Sequence, residues 1–170
     1  PDVNFWFDHL DLNTQADRDY YLACRQDAWQ TIYGNLDRYD GAGFLDDAYD
    51  SWKANPKSLV VAMAGSRRAG LLQLDPRRGQ EAHEAYISFL YLAPEQRNNG
   101  VGIQLIGKAV SLSRPLDYDK LGLVCSEQNA RALAFYQKYG FHTIGTEAGA
   151  YGTLYRMQKD IGYTVREDLM

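Results

Sequence analysis

Arg97, Gly100 and Gly102 are the residues of this 170-residue chain whose types and spacing point most directly to chemistry. They lie in Pro94-Glu95-Gln96-Arg97-Asn98-Asn99-Gly100-Val101-Gly102, between apolar runs at 86–92 and 103–112. Glycine lets a backbone turn tightly and approach a ligand with no Cβ in the way. The first turn of a following helix leaves N–H groups unpaired where a phosphate can sit. Arg97 adds a planar cation suited to phosphate oxygens. Together these residues read as a pyrophosphate holder. A Walker A loop would need Lys-Ser or Lys-Thr after its last glycine, and here Ile103 and Gln104 follow Gly102. The dinucleotide fingerprint needs a third glycine, where this chain has Leu105.

The flanking elements fit that use. Tyr86 to Leu92 is short and rich in β-formers, which predicts a buried strand. Ile103, Ile106 and Val110 recur at helical spacing, which predicts a helix to about Ser113, ended by Pro115. A second motif follows the strand Leu121–Cys125: Asn129-Ala130-Arg131-Ala132-Leu133-Ala134-Phe135-Tyr136-Gln137-Lys138-Tyr139-Gly140-Phe141. Asn129 is a good helix N-cap, and Gly140 suits the left-handed position just beyond a helix end. Gln96-Arg97-x-x-Gly100-x-Gly102 resembles the acetyl-coenzyme A motif of the GNAT superfamily of N-acetyltransferases. The Asn-Ala…Phe-Tyr-x-Lys-x-Gly-Phe stretch resembles the same superfamily's other signature, in the expected order and separation. The resemblance covers at least 58–157, and the first fifty residues or so share it only in outline.

The remaining pattern predicts a strand at 4–9, helices at 14–32 and 44–53, and a loop at 34–43 between them. Strands follow at 58–64 and 69–74, with turns at 65–68 and 76–79, and the chain closes with strands at 141–146 and 153–159. The order is β-α-α-β-β-β-α-β-α-β-β, an α/β (α+β) three-layer plan. It is also the order of a GNAT-like fold, whose central sheet is mixed and mostly antiparallel. Residues 1–170 read as a single domain. Pro1 in place of Met suggests that processing removed the true start.

A net charge of −4 argues against a nucleic-acid partner. No apolar run is long enough to span a membrane, and no signal peptide is visible. Cys24 and Cys125 lack metal spacing and are too few for a disulfide scaffold. They read as buried thiols of a cytoplasmic protein. His9, His83 and His142 are scattered, so no metal is expected. Arg67-Arg68 and Arg77-Arg78 read as solvated hairpin ends.

The resemblance implies a set of site residues. Acetyl-coenzyme A would lie against the strand ending at Leu92, its pyrophosphate on Arg97, Asn98, Asn99, Gly100, Val101 and Gly102. Its pantetheine arm would run along Leu90, Tyr91 and Leu92 like an added strand. Asn129, Phe135 and Lys138 would approach from the other side, although Asn129 also reads as a plain cap and Phe135 as core. The reaction would be direct attack of a neutral amine on the thioester. Tyr136 fits the family position of the proton donor to the leaving thiolate, and would equally serve as a core tyrosine. For the base, Glu84 is the nearest carboxylate, two residues early and readable as a solvated strand end. Water could also carry the proton.

The acceptor is expected to be the primary amine of a small molecule. Asp37, Asp40, Asp46, Asp47 and Asp50 stand against Arg38 alone and would draw a cation. Tyr33, Tyr39, Phe44, Tyr49 and Trp52 could receive it, or simply pack in the core. Residues 147–152 read as a hairpin that could close over the site. The alternatives are a protein acetyltransferase, acting on a lysine or an N-terminus, and a non-catalytic acyl-coenzyme A-binding module. Edge strands at the chain's end would allow a homodimer.

Overall fold

A computed structural model describes residues 4–162; Pro1 lies outside them. Its elements are β1 (Trp6–His9), α1 (Gln15–Tyr33), α2 (Gly41–Ala54), β2 (Leu59–Ala64), β3 (Arg67–Asp75), β4 (Glu84–Leu92), α3 (Val101–Ser113), β5 (Lys120–Ser126), α4 (Ala130–Lys138), β6 (His142–Gly149) and β7 (Gly152–Asp160). The order matches the sequence pattern, and the fold is the expected mixed α/β arrangement.

Side-chain caps set the helix starts. Thr14 accepts the Asp17 N–H at 3.3 Å, and Asn129 accepts the Ala132 N–H at 3.2 Å. The expected loop at 34–43 is shorter than the glycines suggest. Asp40 accepts the Gly43 N–H at 2.9 Å, so Gly41 and Gly43 form the first turn of α2. Pro115 sits in a 3-10 turn directly after α3.

The sheet runs β1-β2-β3-β4-β5-β7-β6, antiparallel except where β4 pairs with β5. Both faces are covered, so adjacent residues of one strand serve different cores. Val61, Leu59 and Leu71 pack with Tyr21 and Cys24 of α1 and Ala48 of α2. Val60 and Leu72 pack with Leu105 and Ile106 of α3, and with Leu121 and Met157. Among the described residues, no helix is long and apolar enough to cross a membrane.

Two irregularities shape the site. β4 and β5 pair only from Glu84↔Lys120 to Tyr86↔Gly122. Beyond that, β4 continues to Leu92 on β3, β5 continues to Ser126 on β7, and a gap opens between them. The β3–β4 register also jumps, from Gln73↔Phe89 to Leu74↔Ile87, leaving Ser88 as an extra residue. This bulge resets the alternation of β4. Ala85 and Ile87 face the α3 core, whereas Phe89 and Tyr91 face the α1–α2 core.

Candidate active site

The gap leads into a cleft of about 920 Å³ along β4, the start of α3, and α4. Leu90, Tyr91, Leu92, Arg97, Asn98, Gly100, Gly102, Asn129, Phe135 and Lys138 line it, together with Tyr136. Asn99 and Val101 do not. Val101 is buried in the α3 core, and the Asn99 amide donates to Gln96 at 3.4 Å. Ala28, Thr31 and Ile32 of α1 form part of the wall, which the sequence pattern did not indicate.

The turn before α3 is built to present N–H groups. Asn98 and Gly100 both have positive φ, 68° and 86°, conformations that turn successive amides toward one side. The first backbone bond of α3 runs from the Gln104 N–H to the Gly100 carbonyl at 3.3 Å. The N–H groups of Val101, Gly102 and Ile103 therefore have no partner within the helix. Arg97 stands beside them and, among the described residues, forms no ion pair. Along β4, the side facing β5 carries no strand after Tyr86, leaving an edge on which an extended ligand arm can pair. An elongated, doubly anionic ligand fits these features.

Tyr136 lines the cleft from α4 and is buried. Its ring packs edge-on against Phe135 and Phe141, each at 5.4 Å between centroids. Burial, with a smaller contribution from the neighbouring Cys125 thiol, pushes its phenol well above the usual range, so it stays protonated. Burial likewise pushes Cys125 up to about 11, so it is neutral and no nucleophile at physiological pH. Both cysteines are free and buried.

Glu84 differs from a solvated strand end. It is buried where β4 and β5 are still paired, and its carboxyl group accepts from the Gln158 amide at 2.7 Å. A Cβ on Gly122 would lie 2.3 Å from that carboxyl carbon, so only glycine leaves room for it. Glu84 lines neither the cleft nor the pocket described next.

A second pocket, of about 460 Å³, lies by α1, α2 and β4, where Tyr86 and Ser88 form part of its wall. Its charge departs from the acidic mouth expected from 36–51. Of the five aspartates there, only Asp40 and Asp47 line it, joined by Asp75, and Arg25, Arg38 and Arg78 balance them. The paired arginines are not merely solvated ends either. Arg68 pairs with Asp17 and lies over the Tyr20 ring at 4.4 Å, and Arg78 lies over Tyr86 at 3.9 Å. Of the aromatics, Phe44 lines the pocket. Tyr49 instead donates to the Leu12 carbonyl at 3.1 Å and packs with Trp52. The β6–β7 turn lies against α1, with Tyr151 packed on Trp29 at 5.4 Å and on Tyr33 at 4.8 Å.

One buried amide holds this pocket in shape. Gln73 of β3 is fully buried and makes four hydrogen bonds. Its oxygen accepts from Tyr21 at 2.6 Å and Arg25 at 3.2 Å, and its nitrogen donates to Asp47 and Ser51, each at 3.1 Å. The available sequence signal was a lone amide inside the apolar run Leu71-Leu72-Gln73-Leu74. Arg25 and the Ser88 bulge carried no signal of their own, and Arg78 read only as part of a solvated hairpin end. Among the described residues, no group of His, Cys, Asp or Glu gathers as a metal site.

Residues 14–141 match the acetyltransferase (GNAT) family. A probable N-acetyltransferase of Mycobacterium tuberculosis is 29% identical over 105 residues, which cover 60% of this chain and 57% of that relative. The matched stretch thus spans little more than half of the relative's length. Among solved structures, Ard1 from Thermoplasma volcanium has 21% identity and a TM-score of 0.74, covering 95% of this chain and 100% of its own. The PaiA N-acetyltransferase of Thermoplasma acidophilum, solved with coenzyme A, has 19% identity and a TM-score of 0.69, covering 92% and 99%. At these identities the two structures establish the shared fold.

Proposed function

The chain belongs to the acetyltransferase (GNAT) family, and we propose that it transfers the acetyl group of acetyl-coenzyme A to the primary amine of a small molecule by direct attack. The observation that carries this reading is the parting of β4 and β5 after Tyr86↔Gly122, which leaves Tyr136 at one side of the gap and the Ser88 pocket near the other. The donor supplies a thioester carbonyl: the amine lone pair forms the N–C bond as the C–S bond breaks.

The chain's own residues do the rest. Arg97 and the N–H groups at the start of α3 hold the pyrophosphate. The free edge of β4 aligns the arm and offers N–H groups to the carbonyl oxygen as its charge grows. Tyr136 keeps its phenolic proton at neutral pH and gives it to the departing sulfur. The amine's proton leaves through water, with the Glu84 carboxyl group at the end of that path.

The 460 Å³ pocket suits a small ligand, and the β6–β7 turn packed on α1 narrows the approach a protein chain would need. Free, buried thiols accord with a cytoplasmic setting. β6 is an edge strand with Ile144 exposed, the surface a homodimer would use. The test is coenzyme A release from acetyl-coenzyme A across amines, amino acids and lysine peptides, with Tyr136→Phe alongside. Turnover of small amines, lowered about 10²-fold or more by the substitution, is the expected result. Coenzyme A binding with no turnover of any acceptor would instead favour a binding module.

A further inference from the structure

The acceptor pocket gathers the guanidinium groups of Arg25, Arg38 and Arg78. Each lies over an aromatic ring. Arg25 stacks on Phe89 at 4.0 Å and on Phe44 at 4.3 Å, Arg78 on Tyr86 at 3.9 Å, and Arg38 on Tyr151 at 5.2 Å. Arg25 spends its Nε on the Tyr21 hydroxyl at 2.9 Å and a terminal nitrogen on Gln73 at 3.2 Å, whereas the stacked guanidiniums of Arg38 and Arg78 keep their N–H edges for planar, two-point recognition of an anion.

The pocket's own carboxylates leave those edges largely unmet. Asp40 accepts the Gly43 N–H at 2.9 Å, and Asp75 accepts the Arg77 N–H at 3.0 Å. Asp47 accepts from Gln73 and stands 4.0 Å from Arg25, a long contact for a guanidinium whose side chain is only 11% exposed. Among the described residues, Arg38 and Arg78 form no ion pair. A polyamine, the guest that an acidic mouth would select, would meet three guanidinium groups set among the three carboxylates here.

We infer that the acceptor is an amino carboxylate, with its carboxylate held by Arg38 and Arg78 beside the charge of Arg25, and its amine directed to Ser88 at the bulge of β4. This rests on the acetyl-transfer reading above. Asp47, whose side chain is 44% exposed, gives the incoming ammonium group a partner in the same pocket before it loses its proton. The volume of about 460 Å³ accommodates a molecule of amino-acid size.

The experiment compares amino acids with their methyl esters and their decarboxylated amines, in two readouts. Coenzyme A release reports turnover, and calorimetric titration in the presence of coenzyme A reports binding. Arg38→Gln and Arg78→Gln, both at exposed positions, are run beside the parent chain. Free amino acids should turn over best, and each substitution should raise their KM by about tenfold or more while kcat stays within a few-fold. Esters and decarboxylated amines should be poor substrates and insensitive to Arg78→Gln. Equal or better turnover of the decarboxylated amines would overturn the inference while leaving acetyl transfer standing. If no amine turned over, acetyl transfer would fail instead. Carboxylate binding lost in Arg78→Gln would then still support the anion site, and absence of carboxylate binding would sink it.

Discussion

Gly102 and Phe135 meet across the interface of α3 and α4, and a Cβ on Gly102 would lie 2.7 Å from the Phe135 ring. The last glycine of the turn before α3 is therefore also the surface on which the second motif packs. Phe135 in turn lies against Tyr136 at 5.4 Å and Tyr139 at 4.9 Å. The two motifs set each other's position, and with it the place of the Tyr136 phenol in the cleft.

Gly102→Ala should push that ring aside and loosen α4. Overpacking of this kind costs about 1–3 kcal/mol, so the midpoint of thermal unfolding should fall and coenzyme A should bind more weakly. Thermal unfolding and calorimetry check both. A variant with parental stability and affinity would show that the contact is dispensable.

Gln73→Leu should be more damaging than its isosteric size suggests. It removes four hydrogen bonds and leaves the buried Ser51 and Tyr21 hydroxyls short of a partner. A loss of roughly 3 kcal/mol or more is expected, read from urea unfolding. The KM for the acceptor should rise as well, because Arg25 and Asp47 both lean on this amide. A change below about 1 kcal/mol would contradict the network's role.

Glu84→Gln separates a direct base from a relay. Neither cavity reaches Glu84, and its carboxylate is held by Gln158 at 2.7 Å. The expected fall in kcat/KM is about tenfold or less. A fall of about 10²-fold or more, of the size seen when a positioned base is removed, would make Glu84 the direct base.

Stability should decline on the alkaline side. Burial raises Cys24 and Cys125 from 9.0 to about 11. Below pH 9 both thiols are neutral in either state, and their contribution is intact. Between pH 9 and about pH 11 the unfolded chain releases these protons more readily than the folded one, so stability is lost as pH rises. Unfolding midpoints across this window should fall, and a Cys24→Ala, Cys125→Ala variant should fall less steeply. Equal slopes would remove the thiols from the explanation.

The order of elements and the donor-side site were legible in the sequence because both are written locally. Apolar period separates Tyr86–Leu92 from the helix after Gly100, and caps such as Thr14 and Asn129 mark where helices begin. The turn before α3 needs only consecutive residues, since its geometry comes from the φ values of Asn98 and Gly100. The glycines at 41 and 43 misled because a single cap, Asp40, outweighs their flexibility.

The acceptor side was decided by tertiary structure. Aspartates counted along 36–51 implied an acidic mouth, but Asp37, Asp46 and Asp50 do not line the pocket, and Arg25 from α1 and Arg78 from the β3–β4 turn do. Charge in a pocket is a sum over elements distant in sequence, and local composition cannot supply it. The same holds for the gap between β4 and β5 and for the Ser88 bulge, which exist only as relations between paired strands. The sequence by itself determined which elements form and that Arg97, Gly100 and Gly102 meet at the turn before α3. Only the packing of the sheet against two helical layers decided which charges face the acceptor, because that depends on which side chains converge from separate elements.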